Sequence, residues 1–191
     1  SRTKHPDDLQ PGILMVMANL NKANYKAAVD LARGLIQIAP KNIFVTHLAG
    51  AAAMAGGDAA TARSYFNQAL ALDPNYIQAH LNLARLDSDA GNFAAAAGHY
   101  QSVLQANNNN PVALVELGNL ASRQRKLDEA VTWYEKAKAS HPEISGVWYL
   151  VVHGCRHALT AGHGAAGRNL LDHTTSLPLH SAGSQPLDEL L

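Results

Sequence analysis

Four alanines, Ala28, Ala62, Ala96 and Ala130, recur at a fixed step of 34 residues, and the chain around each repeats one order of side chains. Tyr25, Ala59, Phe93 and Leu127 stand three residues before them, and Ala32, Phe66, Tyr100 and Tyr134 four after. Pro40, Pro74, Asn108 and Pro142 come twelve after. A period of this length with small, aromatic and proline columns specifies a helix–turn–helix unit. No such unit buries its apolar face alone, so neighbours stack into one continuous core. The expected fold is an all-α, right-handed α-solenoid, and function in such an array is usually binding.

Composition agrees and narrows the function classes. The 191 residues are 47% apolar and 16% charged, enough to bury a sizeable core, and they are rich in alanine, as close helix packing requires. Fifteen basic residues balance fifteen acidic ones, so neither a basic footprint for nucleic acid nor a polybasic membrane patch is visible. One cysteine, Cys155, excludes an internal disulfide framework and leaves the redox compartment open. No apolar run reaches the roughly 18 residues of a spanning helix. A chain beginning at Ser1 rather than Met points to a mature or truncated start, with any targeting signal upstream.

The organisation follows from the period. Residues 1–8 read as a polar lead-in, and four helix pairs follow over 9–42, 43–76, 77–110 and 111–144. In the second pair, Gly56-Gly57-Asp58 breaks the first helix: glycine accepts a positive φ, and Asp58 caps the next helix. Gly91-Asn92 does the same in the third. The fourth has Arg125-Lys126 there, so its turn is expected to be less well specified, with Asp128 and Glu129 favouring the second helix start. Pro74, Pro111 and Pro142 mark helix boundaries, and the Asn107–Asn110 run reads as a connector.

These residues resemble the tetratricopeptide repeat (TPR) family. In GGDAATARSYFNQALALDPN, Gly57, Ala62, Phe66, Ala69 and Pro74 occupy its hallmark positions, and the resemblance extends over residues 9–144. Three departures are expected to loosen individual turns: Ala32 replaces an aromatic, Val16 a small residue, and Asn108 a proline. A narrower resemblance, carried by DDLQPGILMVMANLNKANYKAAVDLARGLIQIAPKN, is to the TPR lipoproteins encoded with exosortase (PEP-CTERM) and exopolysaccharide systems of Gram-negative bacteria. It implies a lipid-anchored scaffold of the periplasm or outer membrane, the anchor lying upstream of this chain. A cytoplasmic location is the alternative.

First helices line the concave side of such an array. The spacing places Phe44, His47 and Met54 of the second pair there, then Gln78, Leu81, Arg85 and Asp89 of the third, and Val115, Asn119 and Arg123 of the fourth. Ala51, Ser88, Val112 and Ser122 share that side. Some TPR domains clamp a carboxylate with Lys, Asn and Arg at the second and sixth positions of these helices. Asn82 alone fits here, which argues against capture of that type. Apolar anchors beside Arg85 and Arg123 suit an extended or helical segment carrying some acid, the alternative being that these apolar side chains pack against their own neighbouring helices. The expectation is a non-catalytic protein-interaction scaffold with a protein or peptide partner, and no nucleic acid or small-molecule substrate. Its alternative is a structural spacer within a longer TPR protein.

Two motifs invite other readings. Gly162-His163-Gly164-Ala165-Ala166-Gly167 matches G-x-G-x-x-G, but only 24 residues follow it, too few for the βαβ unit the motif requires. His153, Cys155 and His157 form H-x-C-x-H, whose cysteine points off the histidine face of a helix and which has no carboxylate at ligand spacing. We therefore expect no cofactor and no metal. Residues 145–175 read as a degenerate fifth repeat, in which Val147–Leu159 caps the array, and residues 176–191 as a disordered tail.

Overall fold

The computed structural model describes residues 9–142, which form eight α-helices without a strand among them. They are α1 (Gln10–Asn21), α2 (Tyr25–Ile38), α3 (Ile43–Ala55), α4 (Ala59–Leu72), α5 (Ile77–Asp89), α6 (Phe93–Ala106), α7 (Pro111–Arg123) and α8 (Leu127–Ser140). The second helices begin at Tyr25, Ala59, Phe93 and Leu127, the column three residues before the repeating alanine. The chain divides into two compact units, residues 1–108 with α1–α6 and residues 109–191 with α7 and α8. The expectations for residues 1–8 and beyond 144, the capping helix and both motifs included, lie outside the described residues.

Side-chain caps start α3, α4 and α7, whereas Asn92, expected to cap α6, makes no side-chain cap bond. The side chain of Asn42 accepts from the amide of Val45 at 3.1 Å, Asp58 from Thr61 at 3.0 Å and Asn110 from Ala113 at 3.0 Å, each satisfying a donor that a helix start leaves open. The bond from Thr61 holds the Asp58 carboxyl below its ordinary pKa. Pro111 follows the Asn110 cap, where a missing N–H costs nothing.

One turn is built four times. In the second, the amides of Gly56, Gly57 and Asp58 donate to Ala52, Met54 and Ala53 at 3.1, 3.0 and 2.9 Å, with Gly57 at φ +81°. In the fourth, Gln124, Arg125 and Lys126 donate to Leu120, Ser122 and Ala121 at 3.1, 2.9 and 2.9 Å. Arg125 sits at φ +61° and Ala23, its counterpart in the first turn, at +57°. The expectation of a less well specified fourth turn is therefore corrected. Three backbone hydrogen bonds fix its geometry, and a non-glycine residue accepts left-handed strain to satisfy them.

Size complementarity joins the helices of a pair. Ala28, Ala62, Ala96 and Ala130 are all fully buried. A Cβ on Gly50 would lie 2.6 Å from the ring of buried Phe66, and one on Gly118 would lie 2.4 Å from the ring of Tyr134. Glycine in α3 and α7 thus makes room for an aromatic in α4 and α8. The first pair inverts this arrangement. Val16 fills the first-helix position and Ala32 the second, both with no exposed surface in one core cluster. The two departures from the family pattern compensate each other in volume.

Candidate functional site: the outward face of the first helices

A hydrogen bond between α3 and α5 fixes the candidate face in the first unit. The Nδ2–H of Asn82 donates to Nε2 of His47 at 3.0 Å, so that ring nitrogen carries the lone pair and the imidazole proton sits on Nδ1. Phe66 and Tyr76 flank the ring, with centroids 5.6 and 5.5 Å away. Burial pushes the His47 pKa down to about 4, so the side chain is neutral at neutral pH. His47 is thus a fixed acceptor between two first helices rather than a charge for a partner.

Helical spacing from these two residues defines the rest. Phe44 lies one turn before His47 and Met54 two turns after it, whereas Gln78, Arg85 and Asp89 share the Asn82 stripe of α5. Phe44 is 37% exposed, and Gln78, Arg85 and Asp89 are exposed. Arg85 makes no hydrogen bond or ion pair with any described residue. Leu81 and Ala51 are half-buried, and Met54 packs partly against the core that contains Phe66 and Leu83. Ser88 is buried.

The second unit changes the account of α7. Val115 is buried at 8% exposure and Ser122 is buried too, so neither is available as a lining contact. Asn119 accepts from the Tyr134 hydroxyl at 2.7 Å and donates to Glu116 at 3.3 Å, which commits both ends of its amide. The physical reason is that a buried tyrosine needs a partner for its hydroxyl, and Asn119 supplies it. Arg123 and Val112 remain exposed.

A second polar constellation, absent from the sequence reading, joins α4, α5 and α6 in the first unit. Asp87 is 4% exposed and accepts from Arg63 at 2.7 Å. His99 Nε2 lies 3.7 Å from the other Asp87 oxygen. Nδ1 of His99 is 3.0 Å from Nδ1 of His80, and Nε2 of His80 is 2.9 Å from the carbonyl of Pro74. The repeat columns carry a signal for part of it. Asp87 stands where the neighbouring repeats have Ala53 and Ala121, and Arg63 where they have Val29, Ala97 and Val131. Each departure is the other's ion-pair partner. No group of three or more His, Cys, Asp or Glu ligands occurs among the described residues, and no helix there is long and apolar enough to cross a membrane.

Comparison with known proteins places this geometry. Two tetratricopeptide repeat models match, over residues 53–96 and 81–143. Cellulose synthase operon protein C of Xanthomonas axonopodis pv. citri is 37% identical over 94 residues, 49% of this chain, and the chain spans just 6% of its length. The photosystem I assembly protein Ycf3 of Prochlorococcus marinus subsp. pastoris is 27% identical over 136 residues, covering 62% of this chain and 79% of that protein. Among solved structures, MamA from Desulfovibrio magneticus RS-1 superposes with a TM-score of 0.70 at 16% identity, over 91% of this chain and 98% of that one. YrrB, described as a TPR protein with an unusual peptide-binding site, gives 0.65 at 15% identity, over 88% and 86%. The matched residues, 53–143, are tetratricopeptide repeats, and the fold is an all-α helical-repeat solenoid.

Proposed function

We propose that the chain is a non-catalytic interaction scaffold whose first unit binds a protein segment on the outward face of α3 and α5. The observation that carries this reading is Arg85, an exposed guanidinium without a partner among the described residues, on the stripe that Asn82 and His47 hold rigid, with exposed Phe44 on the adjoining helix. A segment with an apolar or aromatic anchor and a nearby carboxylate fits, because the anchor removes Phe44 from water while the acid meets Arg85. Peptide binding by YrrB, and the HSP90 peptide held by the first TPR of Spaghetti, support the ligand class. The likeness to cellulose synthase operon protein C supports a setting in exopolysaccharide production; protein sorting at the bacterial envelope rests on the sequence resemblance to the TPR lipoproteins of exosortase systems.

Selection from a random peptide library tests it. The wild-type chain should enrich peptides pairing an aromatic or aliphatic residue with Asp or Glu, and Arg85→Glu should lose the acidic preference while retaining its fold. A spacer would enrich nothing above background. The same enrichment by wild type and by Arg85→Glu plus Phe44→Ala would remove this face from the function.

A further inference from the structure

We propose that His80 and His99 form a two-histidine site for a borderline divalent transition-metal ion, built at the junction of α5, α6 and the α4–α5 connector. The Pro74 carbonyl can only accept, so Nε2 of His80, 2.9 Å away, carries the hydrogen. A neutral His80 then has its lone pair on Nδ1. Nε2 of His99 faces the Asp87 carboxylate at 3.7 Å, while the other oxygen of that group takes the bond from Arg63. At 3.7 Å this contact is electrostatic rather than a hydrogen bond. Nδ1 of His80 therefore faces Nδ1 of His99 at 3.0 Å, the length of an N–H···N hydrogen bond in which the His99 ring donates.

A divalent ion can take the place of the hydrogen that the two nitrogens share. Zinc–nitrogen bonds of about 2.0–2.1 Å in a tetrahedral site separate two ligand nitrogens by roughly 3.3 Å, so a few tenths of an ångström of opening admits the ion. His80 already has the outer partner that metal-bound imidazoles use to fix tautomer and direction, the Pro74 carbonyl, and a carboxylate held by an arginine lies 3.7 Å from Nε2 of His99. Imidazole selects zinc, nickel or copper over magnesium or calcium. His99 is 25% exposed, which lets water complete the coordination. Bound there, the ion ties the helices of the third pair together and to the connector that precedes them.

The test is a Zn²⁺ titration of the full chain, followed by proton–nitrogen NMR correlations of the histidine rings. Assignment ring by ring separates this pair from His153, His157 and the other histidines of the C-terminal segment. Nδ1 of His80 and of His99 should shift together and saturate at one ion, and Zn²⁺ should raise the melting temperature. His80→Gln and His99→Gln, each checked for native helicity, should weaken binding about ten-fold or more and abolish the response of the remaining ring. Rings unmoved at millimolar Zn²⁺ would overturn the proposal. So would a remaining ring that responds in either variant as it does in the wild type.

Discussion

Changing glycine to alanine should move stability in opposite directions at different helical positions of this chain. Alanine is favoured over glycine in a helix interior by about 1 kcal/mol. Gly34 in α2 and Gly98 in α6 are exposed, and a Cβ there would meet nothing within 4 Å. Gly34→Ala and Gly98→Ala should therefore each stabilise by about 0.5–1 kcal/mol. At Gly50 the new Cβ lies 2.6 Å from Cε1 and 2.8 Å from Cδ1 of Phe66, whose ring is fully buried and cannot swing away. Overpacking costs about 1–3 kcal/mol and outweighs the propensity gain. Gly118→Ala should behave alike, since Tyr134 is held by its hydroxyl on Asn119. Trimming the ring tests the mechanism. Phe66→Leu alone leaves a void, but with Gly50→Ala the two volume changes offset, so the double variant should be more stable than the sum of singles by about 0.5–3 kcal/mol. Urea unfolding followed by circular dichroism measures all six variants. Stabilisation by Gly50→Ala equal to that by Gly34→Ala would refute the close helix approach.

The turns offer a second test. Arg125→Gly relieves left-handed strain of about 1–2 kcal/mol at the expense of greater freedom in the unfolded chain, so a net gain of about 0.5–1 kcal/mol is expected in thermal melts. Ala62→Leu, at a site with no exposed surface, should destabilise by about 1–3 kcal/mol, whereas Ala60→Leu on the exposed face of α4 should change melting little. Acid should weaken the fold through His47. Its pKa is about 4 when folded against 6.5 ordinarily, so stability is complete above 6.5 and falls as pH drops toward 4, by on the order of 3 kcal/mol. His47→Gln should flatten that part of the profile of denaturation midpoint against pH.

Much of this fold is legible because its information is periodic. Ala28, Ala62, Ala96 and Ala130 mark one buried column, and the second helices start three residues before them. Gly57 and Gly91 announce their turns by residue type. Arg125 does not, because there the hydrogen bonding of the helix end sets the backbone and the residue follows. Lining residues were harder to read for a geometric reason. A first helix in α7 buries Ala113, Leu114, Val115, Leu117, Gly118, Leu120, Ala121 and Ser122, well over half its circumference, so a 3.6-residue stripe does not separate lining from packing. Asn119 is committed by the Tyr134 hydroxyl, a pairing that spacing alone does not encode. The Arg63–Asp87 pair was visible as two column departures, but the histidines beside it acquire their role through distances across three helices.

The most direct measurement of the binding account is a backbone NMR titration with the peptide enriched by the wild-type chain. The account predicts amide shifts concentrated around Phe44, Gln78, Arg85 and Asp89, little change on the exposed faces of α4 and α6, and loss of the response in Arg85→Glu as salt-dependent attraction to the acid is removed. Shifts confined to α4 and α6, or an undiminished response in the Arg85→Glu variant, would contradict it.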